Sequence, residues 1–203
     1  MYDRGVAQNI RFVFLADANV ETGAGHVRRC LTIAQELKNK KIETIFIGDI
    51  QIQWLLVELS FHKIKYEKNF VARKNDILIV DLYTFNNKQK KFLSQPLNKI
   101  IQIIDSESEI IEADLYIHPG PNSKLAINKK LNGKKYFGGT NYLLTRNFHT
   151  DHRIEKLIHS SEVLVLAGGT DYKDFASSIY PILNSLRFKN IKFHLPSPIN
   201  DAF

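Results

Sequence analysis

Residues Thr22 to His26 read Thr-Gly-Ala-Gly-His, an imidazole set directly behind two glycines and one small side chain. Gly23 and Gly25 allow backbone conformations, and a close approach to a ligand, that a side chain forbids. The first N–H groups of a helix have no intrahelical partner and carry the positive end of its dipole, so a helix starting here favours an anion. The same field disfavours an imidazolium and keeps the ring neutral, able to accept a proton at neutral pH. His26 is therefore either a general base or a side chain that caps and packs the turn. Asp17, earlier in the same loop, either orients the ring or a water, or is an ordinary loop carboxylate. The pattern lacks the third glycine of a dinucleotide-binding loop and the Lys-Ser/Thr pair of a P-loop.

Such chemistry needs a strand to end before the loop and a helix to begin at its close. Short β-branched or aromatic runs supply the strands: IRFVFLA (10–16), ETIFIG (43–48), HKIKYE (62–67), DILIVDLY (76–83), KIIQIID (99–105), DLYIH (114–118) and KKYFGG (134–139). Several are apolar without alternation, as strands covered on both faces are. Between the first two, Val27, Cys30, Leu31 and Ala34 follow the i, i+3, i+4, i+7 rule and Leu37 extends the stripe, which predicts an amphipathic helix over 26–39. QIQWLLVELS and NNKQKKFLSQ give fainter helical patterns. Strands alternating with helices predict an α/β fold built on a mostly parallel sheet, with ligands at the carboxyl ends of its strands. A polar stretch with three histidines, 146–161, then gives way to EVLVLAGGT, a helical pattern over 172–186 and IKFHL. The expected division is an N-terminal Rossmann-like domain over 1–148, a linker over 149–161, and the beginning of a second, incomplete Rossmann-like domain over 162–203.

The chain has 203 residues, 44% of them hydrophobic, which is enough to bury a core. Its one cysteine excludes an internal disulfide and fits a cytoplasmic location. No apolar run is long enough for a signal peptide or a membrane span. A net charge of +7 favours anionic partners. The lysine clusters at 38–41, 88–91 and 129–135 lack interleaved aromatic residues, so they read as solvated helix ends and loops rather than a nucleic-acid platform.

The stretch ADANVETGAGHVRRCLTIAQEL (16–37) resembles the N-terminal signature of the UDP-sugar hydrolases of pseudaminic acid biosynthesis and related spore-coat polysaccharide proteins. ILIVDLY resembles that family's strand ending in Asp81 and Tyr83, and IIDSE its acidic strand end at Asp105. GGTNYLLTRNF resembles its stretch with Gly139, Tyr142, Leu144 and Arg146, here with Phe148 one place early; LAGGTDYKD resembles its Gly-Gly-Thr-Asp turn. Ala16 departs from the basic or polar residue common in the family. The resemblance implies a GT-B-like fold and metal-independent, cofactor-free hydrolysis of UDP-2,4-diacetamido-2,4,6-trideoxy-β-L-altropyranose to UDP and the free sugar. It implies His26 as the residue that activates water. It places Asp17, Gly23, Gly25, Asp81, Tyr83, Asp105, Tyr142 and Arg146 at the sugar, and Gly168, Gly169 and Thr170 at the diphosphate. Tyr83 is equally read as strand-end packing, and the glycine pair as a plain turn. The family continues beyond residue 203. A C-terminal-half partner or self-association is therefore expected, while no specific nucleic acid is. The alternatives are the sugar- or acceptor-binding half of a split glycosyltransferase, a glycosyltransferase whose acceptor replaces water, or a truncated homologue without activity.

Overall fold

The computed structural model describes residues 10–68, 70–105, 107–120, 131, 133–144, 162–166, 174–186 and 190–194. Seven parallel strands form one sheet in the order β3-β2-β1-β4-β5-β6-β7. They are β1 (Arg11–Ala16), β2 (Glu43–Ile47), β3 (Lys65–Tyr66), β4 (Asp76–Asp81), β5 (Lys99–Ile103), β6 (Leu115–His118) and β7 (Tyr136–Gly138). The helices are α1 (Gly25–Asn39), α2 (Gln53–Phe61) and α3 (Asn87–Leu93), with a 3₁₀ turn at Thr140–Tyr142. This is the expected α/β parallel architecture.

Side chains alternate across the strands, so each face carries its own core. Phe14, Ala16, Phe46, Ile79 and Ile103 pack with Val27, Cys30, Leu31 and Ala34 of α1 and with Leu55 and Leu59 of α2. Val13, Leu15, Ile45, Ile47, Leu78 and Val80 pack on the other face with Phe92 and Leu93 of α3. The stripe read from the sequence is the buried face of α1, and each large apolar side chain so buried contributes roughly 1.5–3 kcal/mol. An Asn86–Gln89 capping box starts α3, each side chain serving the other's backbone N–H.

β3 is much shorter than the run at 62–67. Lys63 and Ile64 donate their N–H groups to Ser60 and Leu59, closing α2, and Lys63 takes a left-handed conformation, φ 54°. Only Lys65 and Tyr66 remain to pair with Ile45 and Phe46.

Strand order reverses at β1 and β4: the chain moves from β1 to β2 and β3 on one side, and from β4 to β5 on the other. That reversal opens a crevice beyond the carboxyl ends of β1 and β4, the usual place for a ligand in an open α/β sheet. Separately, β8 (Glu162–Leu166) and β9 (Asn190–His194) pair in parallel, with α4 (Phe175–Ser185) between them in sequence. The expected linker over 149–161 lies outside the described residues.

Candidate active site

The loop from β1 into α1 is held by its own side chains. Asn19 Oδ1 accepts from the N–H groups of Glu21 and Thr22, each at 2.9 Å, and from Thr22 Oγ1 at 3.1 Å. Gly23 turns the chain with φ 69°, a conformation that strains any L side chain. Gly25 is different: it opens the helix, is exposed, and a Cβ built there meets no heavy atom of the described residues within 4 Å. No side chain caps α1 and its first turn holds no acidic residue, so its leading N–H groups face the crevice uncapped.

One residue into α1, His26 is 3% exposed. Its Nδ1 lies 2.6 Å from Oδ1 of Asp81, a separation that places the ring proton on Nδ1, donating to the carboxylate. Nε2 has no protein partner among the described residues. Asp81 ends β4, opposite Ala16 of β1, and is fully buried. Arg29 makes that burial tolerable. It stands one helical turn after His26, and its Nε and Nη2 donate to the two Asp81 oxygens at 2.8 and 2.6 Å. Arg29 Nη2 also lies 3.0 Å from His26 Nδ1 and 3.6 Å from Asp105 Oδ2. Burial alone would depress the guanidinium, but the hydrogen bonds and charge of Asp81, with Asp105 adding, hold it well above the usual arginine range.

Tyr83 follows two residues after Asp81, on the same face, and meets the His26 ring edge-on with centroids 4.3 Å apart at 84°. Burial pushes its hydroxyl above the ordinary tyrosine value; Asp105, Glu107 and Asp81 push the same way and Arg29 opposes them. The group stays protonated and can donate a hydrogen bond. Asp105, beyond β5, secures its own turn by accepting from Ser108 Oγ at 3.1 Å and from the Glu107 N–H at 3.0 Å.

His26, Asp81, Tyr83 and Asp105 thus come together from the start of α1, the end of β4 and the segments that follow β4 and β5, around Arg29, which was not among the expected site residues. The signal for Arg29 was its i+3 spacing from His26, which puts both on one helix face. Asp17 goes elsewhere. Its carboxylate accepts from the Asp49 N–H at 2.7 Å and from Gln89 Nε2 at 2.8 Å, on the α3 face of the sheet. Asp81, not Asp17, orients the imidazole, because one step along a strand reverses the side chain's face. Tyr142 stacks on Phe137 with centroids 5.3 Å apart and is 40% exposed. Arg146, Gly168, Gly169 and Thr170 lie outside the described residues. Among the described residues no cluster of three or more His, Cys, Asp or Glu could hold a metal ion, and no helix is long and apolar enough to cross a membrane.

No family model matches the chain. It is 26% identical over 212 residues to an uncharacterised protein of Methanocaldococcus jannaschii, covering 96% of this chain and 43% of that protein. It is also 26% identical over 197 residues to the pseudaminic acid cytidylyltransferase and UDP-2,4-diacetamido-2,4,6-trideoxy-β-L-altropyranose hydrolase of Helicobacter pylori, covering 91% of this chain and 33% of that protein. The chain therefore spans between a third and a half of the length of these relatives. In fold it is similar to a glycosyltransferase from Rickettsia africae, with 12% identity, a TM-score of 0.50, and coverage of 94% of this chain and 69% of the other.

Proposed function

We propose that the crevice beyond β1 and β4 acts in sugar-nucleotide metabolism, and that its reaction is hydrolysis of a UDP-linked diacetamido-trideoxyhexose. The observation that carries this reading is the buried Asp81–His26 pair at the start of α1, with Nε2 left free. Nε2 takes a proton from water as the water oxygen bonds to the anomeric carbon. The bond from that carbon to the phosphate oxygen breaks, its electron pair leaves with UDP, and the free sugar results. Asp81 holds the tautomer and balances the charge that forms on the ring, as a carboxylate behind a catalytic histidine does. The Tyr83 hydroxyl and the uncapped N–H groups of α1 are the donors for sugar and phosphate oxygens. Asp105, Tyr142 and Arg146 are assigned to sugar contacts, and Gly168, Gly169 and Thr170 to the diphosphate. The likeness to a bacterial protein named for this hydrolysis supports the reading.

The test is UDP release from UDP-2,4-diacetamido-2,4,6-trideoxy-β-L-altropyranose by the chain and by His26→Asn. Loss of roughly 10² to 10⁴ in rate, with substrate binding retained, is the expected result. Full activity in His26→Asn removes the assignment. UDP release that appears only when a hydroxyl-bearing acceptor is added would replace hydrolysis with glycosyl transfer, the reading favoured by the fold likeness alone.

A further inference from the structure

On the sheet face opposite His26, a cleft of about 250 Å³ opens at the carboxyl ends of β1 and β2. Leu15 and Ile47 form an apolar floor, and Phe70 and Phe92 stand beside it with ring centroids 5.8 Å apart at 61°. Lys68 and Lys88 line the same cleft and are exposed.

The surrounding backbone is fixed from several directions. Gly48 sits at φ 121°, where a Cβ would fall 2.3 Å from the Ala16 carbonyl oxygen, and its own carbonyl accepts from the Tyr66 hydroxyl at 3.0 Å. Asp17 ties the Asp49 N–H to Gln89 Nε2, and Gln89 is locked in the capping box of α3. The segments after β1 and β2 and the first turn of α3 are thereby bonded into a preformed wall, which lowers the cost of ordering a ligand there. The charges at the mouth are not balanced internally. Asp49 also lines the cleft, its carboxylate accepting from the neutral Gln51 amide at 2.6 Å, so two lysines stand against one carboxylate; neither Lys68 nor Lys88 has an ion-pair partner among the described residues, whereas Lys90 and Lys99 each do. The lining therefore keeps one net positive charge, and two lysines at the mouth of a largely apolar cleft favour an anion over it.

We propose that this cleft is a second binding site, for a small anion with a flat apolar body. The phosphate or carboxylate sits between Lys68 and Lys88, and the body lies against Phe70 and Phe92. The volume fits a substituted phenyl or a similar ring and falls below that of most pockets for drug-sized ligands. The site does not rest on the hydrolytic reading, since neither His26 nor Asp81 lines it.

Amide NMR titration of the full chain tests it, with phenyl phosphate and benzoate as probes and phenol and inorganic phosphate as controls. Phenyl phosphate or benzoate should shift the amides of Asp49 and Gln89 and bind about tenfold more tightly than either control, with the stronger of the two identifying the acid group. The double variant K68Q/K88Q should lose about tenfold in affinity while keeping a native spectrum, and His26→Asn should bind as the wild type does. Unchanged affinity in K68Q/K88Q, equal binding of inorganic phosphate and phenyl phosphate, loss of binding in His26→Asn, or no shift at all would each overturn the proposal.

Discussion

An arginine–aspartate pair stands at each end of β4, Arg11 of β1 with Asp76 and Arg29 of α1 with Asp81, and the two pairs have different surroundings. At the amino end Arg11 of β1 faces Asp76 of β4, donating from Nε at 2.9 Å and Nη2 at 2.7 Å. The Arg73 N–H also donates to Asp76, at 2.7 Å, and Phe70 lies over the guanidinium 4.7 Å away. Both side chains are at most 6% exposed, and no histidine bonds to either among the described residues. At the carboxyl end Asp81 receives a similar fork from Arg29, but the imidazole of His26 takes a share of the same oxygen and Arg29 is 26% exposed. Where Phe70 closes the first pair, Tyr83 meets the His26 ring beside the second edge-on and carries a hydroxyl. The ionic contact alone does not mark a site. A proton acceptor left unpaired beside it does.

Asp81→Asn and Asp76→Asn should separate most sharply. Asp81→Asn is expected to lower turnover by on the order of 10² to 10⁴, because an amide no longer fixes the Nδ1–H tautomer or balances an imidazolium. Asp76→Asn should leave turnover intact but cost about 3–5 kcal/mol of stability, as stranding one partner of a buried pair does. Denaturant unfolding and UDP release, measured on both variants, check this pattern. Equal effects of the two changes on both readouts would dissolve the distinction between the ends of the strands.

The glycines sharpen the claim that the carboxyl end is open. Gly23→Ala should cost about 1–2 kcal/mol, since φ 69° strains a side chain. Gly25→Ala should unfold within about 0.5 kcal/mol of the wild type, because a Cβ there meets no heavy atom of the described residues within 4 Å. Its methyl instead occupies the space in front of the helix, so substrate affinity should fall while stability holds. A Gly25→Ala protein with unimpaired substrate binding would place the ligand elsewhere.

The smallest effect concerns protons. Burial and Asp105 raise the Tyr83 value above the ordinary one, so its contribution to stability is complete below the usual tyrosine pKa and is lost as pH rises through the raised value. In ultraviolet titration the difference between the wild type and Tyr83→Phe should be one tyrosine that ionises above the ordinary tyrosine value. A titration identical in the two proteins would show that the hydroxyl is not held in the charged crevice.

What the sequence determined by itself is largely periodic. Strict apolar runs announced the parallel strands, and the 27, 30, 31, 34 stripe announced the buried face of α1, because the 3.6- and 2-residue periods translate directly into faces. The glycine-rich approach to His26 was equally local, since φ 69° at Gly23 is a property of a few bonded neighbours. Tertiary structure decided which carboxylate serves the histidine. Asp17 is 9 residues before His26 and Asp81 is 55 after it, yet the strand order lays β4 against β1 and turns Asp17 to the other face. Arg29 gained its role only from that meeting. The second cleft, too, is assembled from β1, β2 and the residues after β3 and β4, which no window along the chain contains together. Periodicity fixes what a residue's own element buries, whereas the packing of distant strands decides which polar groups share a crevice.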